Sequence, residues 1–127
     1  MTAAKRYSVL IVDDSTHVVE FISELLRREG HAVVSARSGR DAAVILDSIA
    51  VDIVITDILM PEGDGIELLH RVRREGRSAP RLIAISGGGR YVDSKNCLSI
   101  AAAAGAQVCL KKPFTDVELL AALEPTA

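Results

Sequence analysis

Four apolar runs in this 127-residue chain end directly on side chains capable of chemistry. Val9-Leu10-Ile11-Val12 runs into Asp13-Asp14, and Ile53-Val54-Ile55-Thr56 into Asp57. Leu82-Ile83-Ala84-Ile85 ends on Ser86, and Val108-Cys109-Leu110 leads to Lys111-Lys112. Short apolar runs bounded by turn signals read as buried strands. In an open parallel sheet the reactive groups gather beyond the carboxyl ends of the strands. Asp13, Asp14, Asp57, Ser86 and Lys112 would then share one edge.

Such a set has restricted uses. Two carboxylates about 4 Å apart repel by about 4 kcal/mol at an effective dielectric near 20. Three of them need a cation, and oxygen-only ligands favour Mg²⁺, with Mn²⁺ as a substitute, over zinc. His17, His31 and His70 have no ligand-like spacing to one another. A carboxylate can attack phosphorus to give an acyl phosphate. Phosphoryl transfer then needs mainly positioning and neutralisation of charge on the equatorial oxygens. A divalent ion, the Lys112 ammonium and the Ser86 hydroxyl meet that need. No Ser-His-Asp set or activated thiol is suggested, and an acid/base pair alone would leave Lys112 without a role.

The elements that must hold these residues alternate along the chain. Ser15 is a good N-cap for a helix with Val18, Phe21, Ile22, Leu25 and Leu26 at helical spacing, closed by Arg27-Arg28-Glu29-Gly30. Ala32–Ala36 reads as a second strand, ending without a comparable reactive group, and Ser38 caps a second helix that ends near Ile49-Ala50. Pro61-Glu62-Gly63-Asp64-Gly65 is turn chemistry before a helix carrying Ile66, Leu68, Leu69 and Val72. Residues from about 93 to 104 form an alanine-rich helix stopped by Gly105, and Thr115 caps a last helix with Val117, Leu119, Leu120 and Leu123. Gly87-Gly88-Gly89 lacks the Lys-Ser/Thr of a P-loop and reads as a loop. Five strands alternating with five helices predict an α/β doubly wound parallel sheet with helices on both faces. The order 2-1-3-4-5 fits five strands and sets the first and third side by side.

Composition agrees with this reading. At 49% hydrophobic and 3% aromatic, the core must be built from Val, Ile, Leu and Ala, which suits strands covered on both faces. A net charge of −2 argues against direct binding of nucleic acid or an anionic membrane. No apolar run approaches the roughly 20 residues needed to span a bilayer, and no signal peptide is evident, so a cytoplasmic chain is expected. Cys97 and Cys109 have neither zinc nor framework spacing, and read as small buried hydrophobes in a reducing compartment.

Val12-Asp13-Asp14-Ser15, Asp57 with Met60-Pro61 and Gly65, Ile85-Ser86-Gly87 and Lys112-Pro113-Phe114 together closely resemble the receiver domain (CheY-like) of two-component response regulators. The resemblance spans nearly the whole chain, in order and spacing, and predicts a single receiver domain over 1–127 with a core of about 7–124. It implies a flavodoxin-like fold and a signalling switch phosphorylated on Asp57 from the phosphohistidine of a kinase or phosphotransfer protein. Asp14 and Asp57 would bind Mg²⁺ directly with the backbone carbonyl of Leu59, and Asp13 would hold a metal-bound water. Ser86 would bond a phosphoryl oxygen and Lys112 would contact the phosphoryl group. In the family the lysine–proline bond is often cis, which aims the amine into the site.

Departures from the family pattern carry their own expectations. Cys109 stands where the family usually has Tyr or Phe, three residues before the lysine, so signalling on the face of the fourth helix, fifth strand and fifth helix would rely on Ser86 and loop movement. Gly63 replaces a frequent hydrophobic residue, which would loosen the loop after Asp57. Leu59 and Gly88 cannot position a water, and slow self-dephosphorylation is expected. If the chain stops at Ala127, its output is protein binding: a downstream partner, a phosphorelay or self-association. Two other readings compete, a docking module that no longer takes phosphate and an aspartyl-phosphate hydrolase. Hydrolases of that kind usually place a second Asp two residues after the nucleophile, where this chain has Leu59.

Overall fold

The computed structural model describes residues 5–57, 68, 72, 80–86, 99, 102 and 105–124. Five strands, β1 (Ser8–Val12), β2 (Ala32–Ala36), β3 (Ile53–Asp57), β4 (Arg81–Ser86) and β5 (Val108–Lys111), form one sheet in the order β2-β1-β3-β4-β5. Every neighbouring pair is parallel. The expected order is therefore observed, and strand limits differ from the sequence reading by a residue or so, within the usual fraying of element ends.

Strict alternation along the strands explains why both faces are covered. Leu10, Val12, Val54, Leu82 and Ala84 point to one face, where Ala42 of the second helix and the helical residues Leu68 and Val72 meet them. Val9, Ile11, Ile53, Ile55, Ile83, Ile85 and Leu110 point to the other, against Ile22, Leu25, Leu26, Leu119 and Leu123. With a period of two, each strand supplies two cores at once, so its sequence is continuously apolar. Full burial of each Ile or Leu contributes about 1.5–3 kcal/mol.

Three helices are described in full. In α1 (Thr16–Arg28) the Ser15 side chain accepts from the Val18 N–H, and in α2 (Gly39–Ser48) Ser38 accepts from the Asp41 N–H. In α3 (Asp116–Leu123) Thr115 and Glu118 form a reciprocal capping box. Each cap satisfies amide donors that the first helical turn leaves without partners. Gly30 ends α1 at φ +92°, and the Gly30 and His31 N–H groups donate to the Arg27 and Leu26 carbonyls. A side chain at that φ would be strained. The expected helices after Asp57 and before Gly105 fall mainly outside the described residues, although Leu68, Val72, Ser99 and Ala102 are helical.

The edge of the sheet away from the acids is stitched by polar groups the sequence reading did not single out. Asp52 exchanges backbone and side-chain hydrogen bonds with Ser8 and accepts from the Arg81 N–H. Gln107 pairs with Leu82, its Oε1 accepting at 2.7 Å and its N–H donating at 3.0 Å.

One expectation is corrected. Cys109 is bonded in a disulfide rather than present as a free thiol. Pairing depends on Cβ atoms about 3.5–4.5 Å apart, a distance that spacing along the chain does not reveal. Cys97 lies outside the described residues. None of the described helices is long and apolar enough to cross a membrane.

Candidate functional site

Register places the reactive residues before any side-chain detail is considered. Val12 pairs with Thr56, so Asp13 and Asp57 follow on adjacent strands at the same level. Asp57 pairs with Ile85, and Ser86 with Lys111, which brings the ends of β4 and β5 alongside. Adjacent strands lie ~4.8 Å apart, close enough for side chains from β1 and β3 to share a ligand.

The side chains converge. Ligand oxygens of Asp13, Asp14 and Asp57 all lie within 4.8 Å of one another. Lys112 Nζ donates to Asp13 Oδ2 at 2.9 Å and to Asp57 Oδ2 at 3.2 Å. The Lys112 N–H donates to the Ser86 carbonyl at 2.8 Å, which fixes the backbone from which the ammonium reaches across. The Lys112–Pro113 peptide bond is cis. Ser86 is wholly buried at the end of β4. Asp13, Asp14, Asp57, Ser86 and Lys112 thus occupy one sheet edge, whereas Leu59, Gly63 and Gly88 lie outside the described residues.

Environment differs among the three acids. Asp13 is fully buried and Asp57 is 6% exposed, whereas Asp14 faces solvent. Asp13 is held in place from both sides, with Oδ1 accepting from the Ser15 N–H at 2.8 Å. Burial raises its pKa above the ordinary carboxylate range, and the neighbouring Asp57 charge adds to that. Hydrogen bonds from Lys112 and Ser15, and the attraction of Lys112, offset the rise only in part. For Lys112, burial works against the charged form, but the hydrogen bond to Asp13 and the charges of Asp57 and Asp13 outweigh it, so its pKa is raised. The ammonium therefore stays charged at neutral pH beside two buried acids.

One ammonium against three carboxylates leaves the cluster net negative, and all candidate ligands are oxygens. This donor set fits a hard divalent cation that retains several waters, and the exposed Asp14 leaves a side open for exchange. A neutral substrate would leave the excess negative charge unmatched.

Two neighbouring features had escaped the sequence reading. Arg37 follows β2 directly and donates through Nη2 to Thr16 Oγ1 at 3.0 Å, so the second strand also ends on a polar side chain tied to this edge. The adjacent residues Ala36-Arg37 were the available signal. An apolar recess of about 510 Å³, lined by His17, Val18, Phe21, Lys112, Pro113 and Phe114, opens beside the site. The Phe21 and Phe114 ring centroids within it are 6.1 Å apart.

Comparison with known proteins points the same way. Residues 9–124 match the family described as the response regulator receiver domain. The chain is 34% identical over 113 residues to the transcriptional regulatory protein CpxR of Klebsiella pneumoniae, covering 89% of this chain and 46% of that protein. It thus spans about half the length of that relative. It is 31% identical over 107 residues to the sensor histidine kinase RcsC of Salmonella typhimurium, covering 84% of this chain and 11% of that protein. A solved structure of a putative response regulator from Chloroflexus aurantiacus superposes with a TM-score of 0.81 at 32% identity, covering 92% of this chain and 93% of the other. With its parallel 2-1-3-4-5 sheet and aspartate-lined edge, this chain belongs to the response regulator receiver domain family.

Proposed function

We propose that Asp57 is the phosphoacceptor of a two-component signalling switch. The observation that carries this reading is the contact of Lys112 with Asp57 inside a net-negative cluster of three acids. The Asp57 carboxylate attacks the phosphorus of a phosphohistidine. A carboxylate O–P bond forms, the imidazole N–P bond breaks, and the imidazole nitrogen leaves with the electron pair and takes up a proton. Lys112 exchanges part of its contact with Asp57 for a phosphoryl oxygen, and the Ser86 hydroxyl bonds another. Asp14 and Asp57, with the Leu59 carbonyl, would ligate Mg²⁺ or Mn²⁺ directly, and Asp13 would act through a water. The bound ion would neutralise charge on the transferring oxygens.

Several finer features belong to the same proposal. The donor is a histidine kinase or phosphotransfer protein, and the apolar recess beside Lys112 suits a macromolecular donor. Output proceeds by protein–protein contact, downstream or with a second copy, on the face assigned from the sequence to the fourth helix, the fifth strand and the fifth helix (α3), without direct nucleic-acid binding. Residues 1–127 act as one cytoplasmic receiver domain with a core of about 7–124. The chain catalyses only its own phosphorylation and a slow dephosphorylation. Incubation with acetyl phosphate and Mg²⁺, followed by intact mass, tests the reading. Gain of one phosphoryl group by the wild-type chain and none by Asp57→Asn is expected. Unchanged mass in the wild-type chain would instead favour a docking module without phosphate chemistry.

A further inference from the structure

Two consecutive residues at the end of β2 hold the loop that carries the first two acids. The Asp13 N–H donates to the Ala36 carbonyl at 3.2 Å, and Arg37 Nη2 donates to Thr16 Oγ1 at 3.0 Å. Between those ties lie Asp14 and Ser15. Ser15 is fixed in turn, its N–H on Asp13 Oδ1 and its side chain capping α1. Asp13 is buried and gripped by Lys112, so it needs little further help. Asp14 differs. It is exposed, yet one of its oxygens lies within 4.8 Å of ligand oxygens on both Asp13 and Asp57. Burial does not hold it there, so its placement depends on the backbone of the loop. Thr16 and Arg37 are exposed as well, and their hydrogen bond closes the end of the loop that packing leaves open.

We infer that Arg37, acting through Thr16, is a positioning residue for Asp14 and so sets the open side of the acid cluster for a hard divalent cation. The inference rests on the metal-assisted phosphoacceptor reading of this edge. Charge alone gives no reason for an arginine here, because a guanidinium near the acids opposes a second cation. Directed at a neutral hydroxyl, its rigid donor fork instead holds the first turn of α1 against the end of β2. An exposed hydrogen bond is exchanged for bonds to water at small net cost, so its loss changes folding little. The effect falls on the ion. Without the tie, Asp14 samples positions away from the cluster and must be ordered when the ion binds.

The test measures Mg²⁺ affinity of the full chain by isothermal titration, with urea denaturation in EDTA alongside. Thr16→Val removes the acceptor without touching a charge. Its affinity should be at least about threefold weaker, the cost of ordering one side chain. Its urea midpoint should stay at the wild-type value, and saturating Mg²⁺ should restore the wild-type rate of phosphoryl uptake from acetyl phosphate. Thr16→Ser keeps the hydroxyl and should match the wild type throughout. Arg37→Ala made in the Thr16→Val chain removes charge alone and should leave affinity equal or tighter. Made in the wild-type chain it also removes the tie, and the two effects should differ by at least about threefold. Wild-type affinity in Thr16→Val, or the same effect of Arg37→Ala in both chains, would overturn the positioning role and leave the Asp57 reading standing. An equal loss in Thr16→Ser would do the same. Failure of the wild-type chain both to bind Mg²⁺ and to take up phosphate would overturn both.

Discussion

Lys112 Nζ lies 3.2 Å from Asp57 Oδ2, linking residues 55 positions apart, and the same atom lies 2.9 Å from Asp13 Oδ2. One cation thus bridges the ends of β1 and β3. The contacts offset the repulsion between two buried acids, and under the proposed function they occupy the oxygens that a divalent ion and a phosphoryl group would use. The site is poised rather than relaxed, because each incoming ligand must redistribute this one ammonium.

Removing that ammonium should separate a stability effect from a chemical one. Lys112→Ala is expected to destabilise the chain by about 1–3 kcal/mol in EDTA, since it leaves buried charge without its partner. Saturating Mg²⁺ should restore most of the loss, read by urea denaturation, while phosphoryl uptake stays depressed. Equal loss with and without Mg²⁺ would mean that the lysine does not act through the acid cluster.

Asp13→Asn should have the opposite sign in metal-free buffer. Burial, aided by Asp57, raises the Asp13 pKa, so the fold favours the protonated form of this group. A neutral isostere is expected to raise metal-free stability by about 1 kcal/mol, while Mg²⁺ affinity falls at least about tenfold. Isothermal titration and thermal denaturation of the same sample check both halves.

The pH dependence follows from the same shift. A carboxyl whose folded pKa is raised contributes stability that grows as pH falls through the folded value toward the ordinary carboxylate range. Metal-free wild-type protein should therefore gain stability relative to Asp13→Asn on mild acidification from neutrality. Mg²⁺ binding needs the ionised ligand, so its affinity should weaken over the same interval. An Mg²⁺ affinity flat across that interval would remove Asp13 from the ion's surroundings.

Two scaffold changes test how the edge is held. Ile55→Ala, two residues before Asp57 and fully buried, should cost about 2–5 kcal/mol. Thr115→Ala removes one half of the α3 capping box and should cost about 0.5–2 kcal/mol. In both, chemical denaturation should show the loss while Mg²⁺ affinity of the folded fraction changes little.

Sequence alone determined the five apolar runs, the caps at Ser15, Ser38 and Thr115, the stop at Gly30 and the acids that follow the first and third runs. These are local: alternation, side-chain-to-backbone bonds and backbone freedom act within a few residues. The parallel order was also legible, because alternating strands and helices leave few crossovers open. Tertiary structure alone decided the rest. Lys112 was already preferred to Lys111 for its place before Pro113, but only the sheet shows how the two diverge: β5 pairs Lys111 with Ser86 and sends Lys112 Nζ to the acids. Asp13 and Asp14 are adjacent, yet one is fully buried and the other exposed. Arg37 with Thr16 and Gln107 with Leu82 likewise depend on atoms distant in the chain. Burial, ion pairing and cross-linking are set by distances through space, which emerge only once the sheet has brought its strand ends together.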